Sequence, residues 1–129
     1  MMQLNKILYA EDEPDIREIA TLALEAIGGF EVITCPSGVT VVECALAFKP
    51  ELILLDVMMP DMDGPTTLSV LNAHEALKDI PVIFLTAKIL ADEIERFKTL
   101  GAVDVISKPF DPMSLADQVR GIWEAYYES

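Results

Sequence analysis

An apolar run that ends on a carboxylate constrains the fold of this chain most strongly. Residues 52–56 read Leu-Ile-Leu-Leu-Asp, and the loop sequence VMMPDMDG follows them up to Gly64. Because Leu52 to Leu55 leave no polar residue on either side of an extended chain, they predict a strand that is covered on both faces. Asp56 then lies at the end of a buried strand, on the edge where open α/β sheets bind ligands.

The same pattern, a short apolar strand followed by a helix, recurs along the chain. We predict strands at residues 6–10, 30–34, 52–55, 80–85 and 103–106. We predict helices after Pro14, between Ser37 and Phe48, from Gly64 to Asn72, around Leu90 to Gly101, and after an Asp111-Pro112 cap. These βα units predict one domain over residues 1–129 with a flavodoxin-like α/β fold, in which five parallel strands follow the order 2-1-3-4-5 with helices on both faces.

Charge and hydropathy exclude some classes of partner. The net charge is −13, whereas nucleic acids and anionic membranes are bound mainly by cationic side chains, so we expect neither as a direct partner of this domain. No apolar run approaches the length that spans a membrane. Residues 1–6 lead directly into a strand without a signal-peptide pattern, and Cys35 and Cys44 lack metal-ligand spacing. We therefore expect a reducing, cytoplasmic location.

Reactive side chains follow four of the predicted strands. Glu11 and Asp12 come after the first strand, Asp56 after the third, Thr86 after the fourth and Lys108 after the fifth. In the predicted order the first and third strands are neighbours, so three carboxylates meet in one crevice and repel one another unless a cation binds there. Mg²⁺, which prefers oxygen ligands, is the natural candidate. Three carboxylates, one Mg²⁺ and one lysine sum to about zero charge.

This set of residues makes the chain resemble the receiver domain of a two-component response regulator, of the single-domain type found in chemotaxis. The resemblance extends over essentially the whole chain. It is carried by the acidic pair Glu11-Asp12, by Asp56 in LLDVMMPDMDG, by Thr86 in LTAK and by Lys108 in SKPF. Each motif is weak by itself, and the complete set at these strand ends is highly specific.

The resemblance implies a phosphoacceptor rather than an enzyme that turns over an external substrate. Asp56 would accept a phosphoryl group from the phosphohistidine of a sensor kinase or phosphotransfer protein. Glu11, Asp12, Asp56 and the backbone carbonyl of Met58 would hold Mg²⁺, with Mn²⁺ as a possible substitute. Lys108 would bind a phosphoryl oxygen.

Further expectations concern regulation and also come from the resemblance. Thr86 would move toward the phosphoryl group and change a downstream interaction surface. Met58 and Lys88, each two residues beyond a site residue, would tune the lifetime of the phosphate. The Lys108–Pro109 peptide bond is expected to be cis. Val105 stands where many receivers carry a rotating Tyr or Phe, which suggests that the output surface is read differently or that the domain mainly relays phosphate.

Other functions are weighed against this one. A haloacid-dehalogenase-type phosphatase needs a second Asp two residues after its nucleophile, where this chain has Met58. A flavodoxin needs a phosphate loop after the first strand, and the acidic residues 11–13 would repel phosphate. A phosphorelay intermediate and a pseudo-receiver that acts as an interaction module are the remaining alternatives. A stand-alone receiver and a receiver within a longer protein are both compatible with the sequence.

We interpret several other conspicuous residues as structural rather than functional. Asp61 and Asp63 lack the closing Glu of a calcium-binding EF-hand loop and are interpreted as loop and helix-start acids. His74, the one histidine in the sequence, is interpreted as a surface residue near a helix end. Trp123 belongs to the core stripe of the last helix.

Overall fold

The computed structural model describes residues 3–87 and 90–128 and contains the predicted α/β sheet. Its five strands are all parallel and lie in the order β2-β1-β3-β4-β5, which confirms the predicted topology. Within those residues, each helix is too short or too polar to cross a bilayer. In chain order the elements are β1 Lys6–Ala10, α1 Pro14–Leu22, a wider helical turn Ala23–Ile27, β2 Glu31–Cys35, a short turn Gly38–Thr40, α2 Val41–Phe48, β3 Leu52–Asp56, α3 Gly64–Asn72, β4 Val82–Thr86, α4 Ala91–Leu100, β5 Asp104–Ser107 and α5 Leu115–Glu128.

The sheet separates two apolar layers, because alternate residues of each buried strand point to opposite faces. Tyr9 and Leu54 face the layer formed with α1 and α5, which includes Trp123. Leu8 and Ile53 face the layer formed with α2, α3 and α4. Every residue of β3 is buried, as the apolar run predicts. This arrangement leaves the carboxyl ends of the strands as the open edge of the sheet.

The first helix differs from its predicted pattern. Helical spacing predicts one apolar side for the helix after Pro14, formed by Ile16, Ile19, Ala20, Ala23 and Ile27. Ala20 and Ala23 are buried, yet Ile19 and Ile27 are each 48% exposed. The helix widens after Leu22, where the amide of Gly28 donates to the carbonyl oxygen of Ala23 at 3.2 Å. Because the wider turn holds more residues, it rotates the following side chains, and Leu24 is buried instead of Ile27.

The last helix begins at Leu115 rather than directly after the Asp111-Pro112 cap. Asp111 nevertheless organises the preceding turn. Its side chain accepts a hydrogen bond from the amide of Met113 at 2.9 Å, and its carbonyl oxygen accepts one from the amide of Leu115 at 3.0 Å. The predicted cap therefore holds a turn that leads into the helix.

Gly64 begins α3 directly against the end of β3. A Cβ atom at this position would lie 2.8 Å from the carbonyl oxygen of Asp56 and 3.0 Å from the Cα of Val57. We expect Gly64→Ala to lower the free energy of unfolding by about 2 kcal/mol, because the backbone that carries Asp56 must move. Urea denaturation measures this change.

Gly121 is the matched control for this substitution. A Cβ at this exposed position in α5 would meet no atom within 4 Å. We expect Gly121→Ala to raise the free energy of unfolding by about 0.5–1 kcal/mol, since alanine favours a helix interior. Equal effects of the two substitutions would contradict this account of the close contact at Gly64.

Candidate functional site

The strand register brings the predicted site residues to one edge of the sheet. Ala10 pairs with Leu55 across β1 and β3, so Glu11 and Asp56 follow from neighbouring strands. Asp56 in turn pairs with Leu85 on β4, the residue before Thr86. The residues that follow buried strands in the sequence therefore lie side by side in the fold.

Lys108 lies between two buried carboxylates at this edge. Its Nζ is 3.0 Å from Oε1 of Glu11 and 3.1 Å from Oδ1 of Asp56. Its backbone amide donates to the carbonyl oxygen of Thr86 at 2.8 Å, which fixes the loop after β5 against the end of β4. The Lys108–Pro109 peptide bond is cis, as the resemblance implies. One ammonium group thus joins the ends of β1, β3 and β5.

The three predicted carboxylate ligands are close enough to share a cation. One oxygen atom from each of Glu11, Asp12 and Asp56 lies within 4.8 Å of the others. Glu11 and Asp56 are buried, whereas Asp12 is half-buried and keeps the cluster open to solvent. A set of hard oxygen donors with excess negative charge fits Mg²⁺ or Mn²⁺ better than a softer metal.

The electrostatics of the cluster are unfavourable without a cation. Burial, and then the nearby Glu11 carboxyl, raise the pKa of Asp56, whereas Lys108 lowers it; the net result is a pKa of about 7. Burial lowers the pKa of Lys108, but its contacts with Glu11 and Asp56 outweigh burial, so the net shift is upward. The lysine therefore stays charged, while the Asp56 carboxyl titrates near neutral pH.

The remaining predicted residues have different surroundings. Thr86 is buried at the end of β4, next to the strand end that carries Asp56. The backbone amide of Met58 donates to Oδ1 of Asp56 at 3.3 Å, and the Met58 side chain is 76% exposed beside the site. The metal-ligand role of the Met58 carbonyl stays a prediction. Lys88 lies outside the described residues.

The other polar residues that the sequence singled out lie in a helix cap, a loop and a turn. The side chain of Asp63 caps α3 by accepting a hydrogen bond from the amide of Thr66 at 2.8 Å. Asp61 is exposed in the loop. Nδ1 of His74 accepts a hydrogen bond from the amide of Ala76 at 3.3 Å in the turn after α3.

Two residues at the site were missed by sequence reasoning. The hydroxyl of Tyr9 donates to Oε1 of Glu11 at 3.1 Å, and Nη1 of Arg17 donates to the carbonyl oxygen of Glu11 at 2.8 Å. Tyr9 offered one signal, since it is the one hydroxyl-bearing residue in the apolar β1 segment KILYA, and a buried hydroxyl needs a partner. Arg17 gave no signal, because one arginine on an amphipathic helix is ordinary.

Comparison with known proteins identifies the family. A family model described as the response regulator receiver domain matches residues 7–120. The chain belongs to this family. Its fold is the one that the resemblance implied, and it is a receiver domain of a two-component response regulator.

Related receivers occur in transcriptional regulators. The chain is 36% identical over 118 residues to the DNA-binding dual master transcriptional regulator RpaA of Synechocystis sp., covering 91% of this chain and 48% of RpaA. It is 41% identical over 117 residues to the probable transcriptional regulator ycf27 of Galdieria sulphuraria, covering 89% of this chain and 44% of that protein. The chain spans about half the length of these relatives.

Solved structures of receivers have the same fold. The chemotaxis response regulator CheY4 of Vibrio cholerae superposes with a TM-score of 0.85 at 26% identity, over 93% of this chain and 99% of that one. The signal receiver domain of a signal transduction histidine kinase from Syntrophus aciditrophicus superposes with a TM-score of 0.81 at 31% identity, over 97% and 94%. The five-stranded order of this receiver is thus shared with its structural relatives.

Proposed function

We propose that Asp56 is the residue of this receiver that accepts a phosphoryl group, and that Glu11, Asp12 and Lys108 complete its site. The observation that carries the proposal is the position of Lys108 Nζ, 3.0 Å from Glu11 and 3.1 Å from Asp56. The ammonium group of Lys108 lies between two buried carboxylates at the open edge of the sheet, where it can offset the negative charge of an entering phosphoryl group.

The proposed reaction moves one phosphoryl group. A carboxylate oxygen of Asp56 attacks the phosphorus of a phosphohistidine on a sensor kinase or phosphotransfer protein. The phosphorus–oxygen bond of the aspartyl phosphate forms, the phosphorus–nitrogen bond breaks, and the imidazole nitrogen keeps the electron pair and takes up a proton. Lys108 is within reach to exchange its contact with the Asp56 oxygen for one with a phosphoryl oxygen.

Glu11, Asp12 and Asp56 would hold the divalent cation, with the carbonyl of Met58 as a further ligand. A bound Mg²⁺ supplies neutralisation of the phosphoryl oxygens and so reduces repulsion of the attacking carboxylate. The chain's own contribution is to hold Asp56 rigidly. Oδ1 of Asp56 accepts a hydrogen bond from the amide of Met58 at 3.3 Å, and the amide of the next residue, Val57, donates to the carbonyl oxygen of Leu85 at 3.0 Å.

The proposed output starts at Thr86. A hydrogen bond from its hydroxyl to the phosphoryl group would shift the loop after β4 and change the surface that a target recognises.

Val105 is half-buried and packs against the apolar layer under α2, α3 and α4. Because valine has no ring to rotate, a relay of phosphate to another histidine is the second candidate function. Small NMR backbone shifts around residues 90–105 on adding beryllofluoride would favour the relay.

We further propose that residues 1–129 act as one receiver unit in the cytoplasm. The net charge of −13 argues against nucleic acid or membrane contact by this unit. Membership of the receiver family supports a sensor histidine kinase or phosphotransfer protein as the direct partner. The name of RpaA records DNA binding, and that property is stated of RpaA alone.

Intact-mass measurement tests the proposed function. The receiver is incubated with acetyl phosphate and Mg²⁺, and we expect one phosphate adduct. The adduct should be absent with a chelator and absent in Asp56→Asn, whose amide is a poor nucleophile. An adduct of equal yield in Asp56→Asn would contradict the proposal, as would persistent failure of the wild-type chain to label even with a kinase.

Met58 provides a separate prediction about phosphate lifetime. Its exposed side chain borders the opening of the site, so exchanging it changes the access of water to an acyl phosphate on Asp56. We expect Met58→Ala to alter the half-life of the phosphate several-fold without preventing phosphorylation. The same expectation applies to exchange of Lys88. Decay of the phosphate adduct over time measures it, and unchanged half-lives in both variants would contradict it.

A further inference from the structure

A tyrosine hydroxyl lies inside the protein beside the acidic cluster. Tyr9 in β1 and Glu11 both have 0% exposure, and the Tyr9 hydroxyl donates to Oε1 of Glu11 at 3.1 Å. The ring belongs to the apolar layer under α1 and α5, which holds it in place. A buried hydroxyl needs a hydrogen-bond acceptor, so the packed Tyr9 ring and its bond to Glu11 hold each other in place.

The two oxygens of Glu11 have different surroundings. Oε1 accepts from the Tyr9 hydroxyl and also faces Lys108 Nζ at 3.0 Å. Oε2 accepts a long hydrogen bond of 3.4 Å from the amide of Glu13. Oε1 is therefore held by two strong donors, and Oε2 keeps more capacity to contact a cation.

We propose that Tyr9 is a positioning residue that orients the Glu11 carboxylate toward a divalent cation. The inference deepens the proposed function and rests on it. Glutamate has one more rotatable bond than aspartate, so a glutamate at this position gains more from a donor that limits its rotation. When Lys108 moves to a phosphoryl oxygen, Tyr9 is the donor that stays on Oε1 and keeps the carboxylate in place.

Cation affinity tests this inference directly. Mn²⁺ is titrated into the unphosphorylated receiver at about pH 8, where Asp56 is ionised, and free Mn²⁺ is measured by electron paramagnetic resonance. We expect Tyr9→Phe to bind Mn²⁺ about tenfold more weakly, because it loses the hydroxyl and keeps the ring.

Thr67→Val is the matched control. The Thr67 hydroxyl is also buried and donates to the carbonyl oxygen of Asp63 at 2.8 Å, away from the acidic cluster. The carbonyl oxygen of Asp63 also accepts a hydrogen bond from the backbone amide of Thr67 at 2.9 Å, and this bond remains in Thr67→Val. We expect unchanged Mn²⁺ affinity in Thr67→Val.

A double-mutant cycle separates positioning from a general loss of structure. If Tyr9 acts through Glu11, Tyr9→Phe has no further effect on Mn²⁺ affinity in a Glu11→Gln background. Wild-type affinity in Tyr9→Phe would overturn the inference, as would an equal loss in the Glu11→Gln background. A wild-type receiver that binds neither Mn²⁺ nor Mg²⁺ would overturn the proposed metal site as well, so the two failures are distinguishable.

Discussion

Lys108→Met is expected to lower the free energy of unfolding of the metal-free receiver by about 3 kcal/mol at about pH 8. The ammonium group lies 3.0 Å from Glu11 and 3.1 Å from Asp56, and both carboxylates are buried. Methionine fills a similar volume but leaves two neighbouring buried carboxyls without a cation. The loss should be smaller at about pH 5, where the carboxyl of Asp56 can bind a proton in place of the ammonium contact.

Lys98→Met is the matched control for this substitution. Nζ of Lys98 is 3.9 Å from Oδ1 of Asp104, and both side chains are about half exposed. We expect a change below about 0.5 kcal/mol, since exposed ion pairs contribute little. Urea denaturation of both variants at the two pH values, with and without Mg²⁺, measures the difference. A loss in Lys108→Met no greater than in Lys98→Met would contradict the buried ion-pair network.

Asp56→Asn is expected to stabilise the metal-free receiver above neutral pH. The pKa of Asp56 rises from an ordinary 3.8 to about 7 in the fold, mainly through burial and then through Glu11. Between these values the folded state binds more protons than the unfolded state, so the free energy of unfolding of the wild type falls as pH rises. Asparagine has no proton to lose. The stability advantage of Asp56→Asn should therefore grow from about pH 4 and level off above about pH 7, reaching on the order of 4 kcal/mol.

Mg²⁺ provides the internal control for this prediction. Mg²⁺ binds the folded wild type through the ionised carboxylate of Asp56, and the variant lacks this ligand. Added Mg²⁺ should therefore stabilise the wild type more and reduce the stability advantage of Asp56→Asn. Denaturation curves across this pH range give the stability difference directly. A difference that is constant with pH, or that shrinks as pH rises, would show that the fold does not raise the pKa of Asp56.

The sheet and most of the site could be predicted because their signals are local in the sequence. The run Leu52 to Leu55 specifies a strand buried on both faces, and a carboxylate or lysine directly after a strand must lie at the edge of the sheet. The strand order then brings Glu11 and Asp56 together. The cis bond at Lys108–Pro109 followed from the family resemblance and not from the pattern.

The features that could not be predicted depend on side-chain contacts and packing that the sequence pattern does not specify. The prediction that Lys108 binds a phosphoryl oxygen did not include its contacts with Glu11 and Asp56 in the unphosphorylated chain. Tyr9 and Glu11 are two residues apart, so strand alternation places their side chains on the same face, but the sequence did not show that the buried Tyr9 hydroxyl donates to Glu11. The widened turn after Leu22 depends on packing, since residues 23–27 keep an ordinary helical pattern in the sequence.

Locating the phosphate on the chain tests directly whether Asp56 is the phosphoacceptor. The receiver is phosphorylated with acetyl phosphate and Mg²⁺, reduced with borohydride, which converts an aspartyl phosphate to homoserine, and digested for peptide mass spectrometry. We predict homoserine at position 56, and its absence when Mg²⁺ is removed. Homoserine at Asp12 or another aspartate, with Asp56 unmodified, would contradict the assignment of Asp56 as the phosphoacceptor.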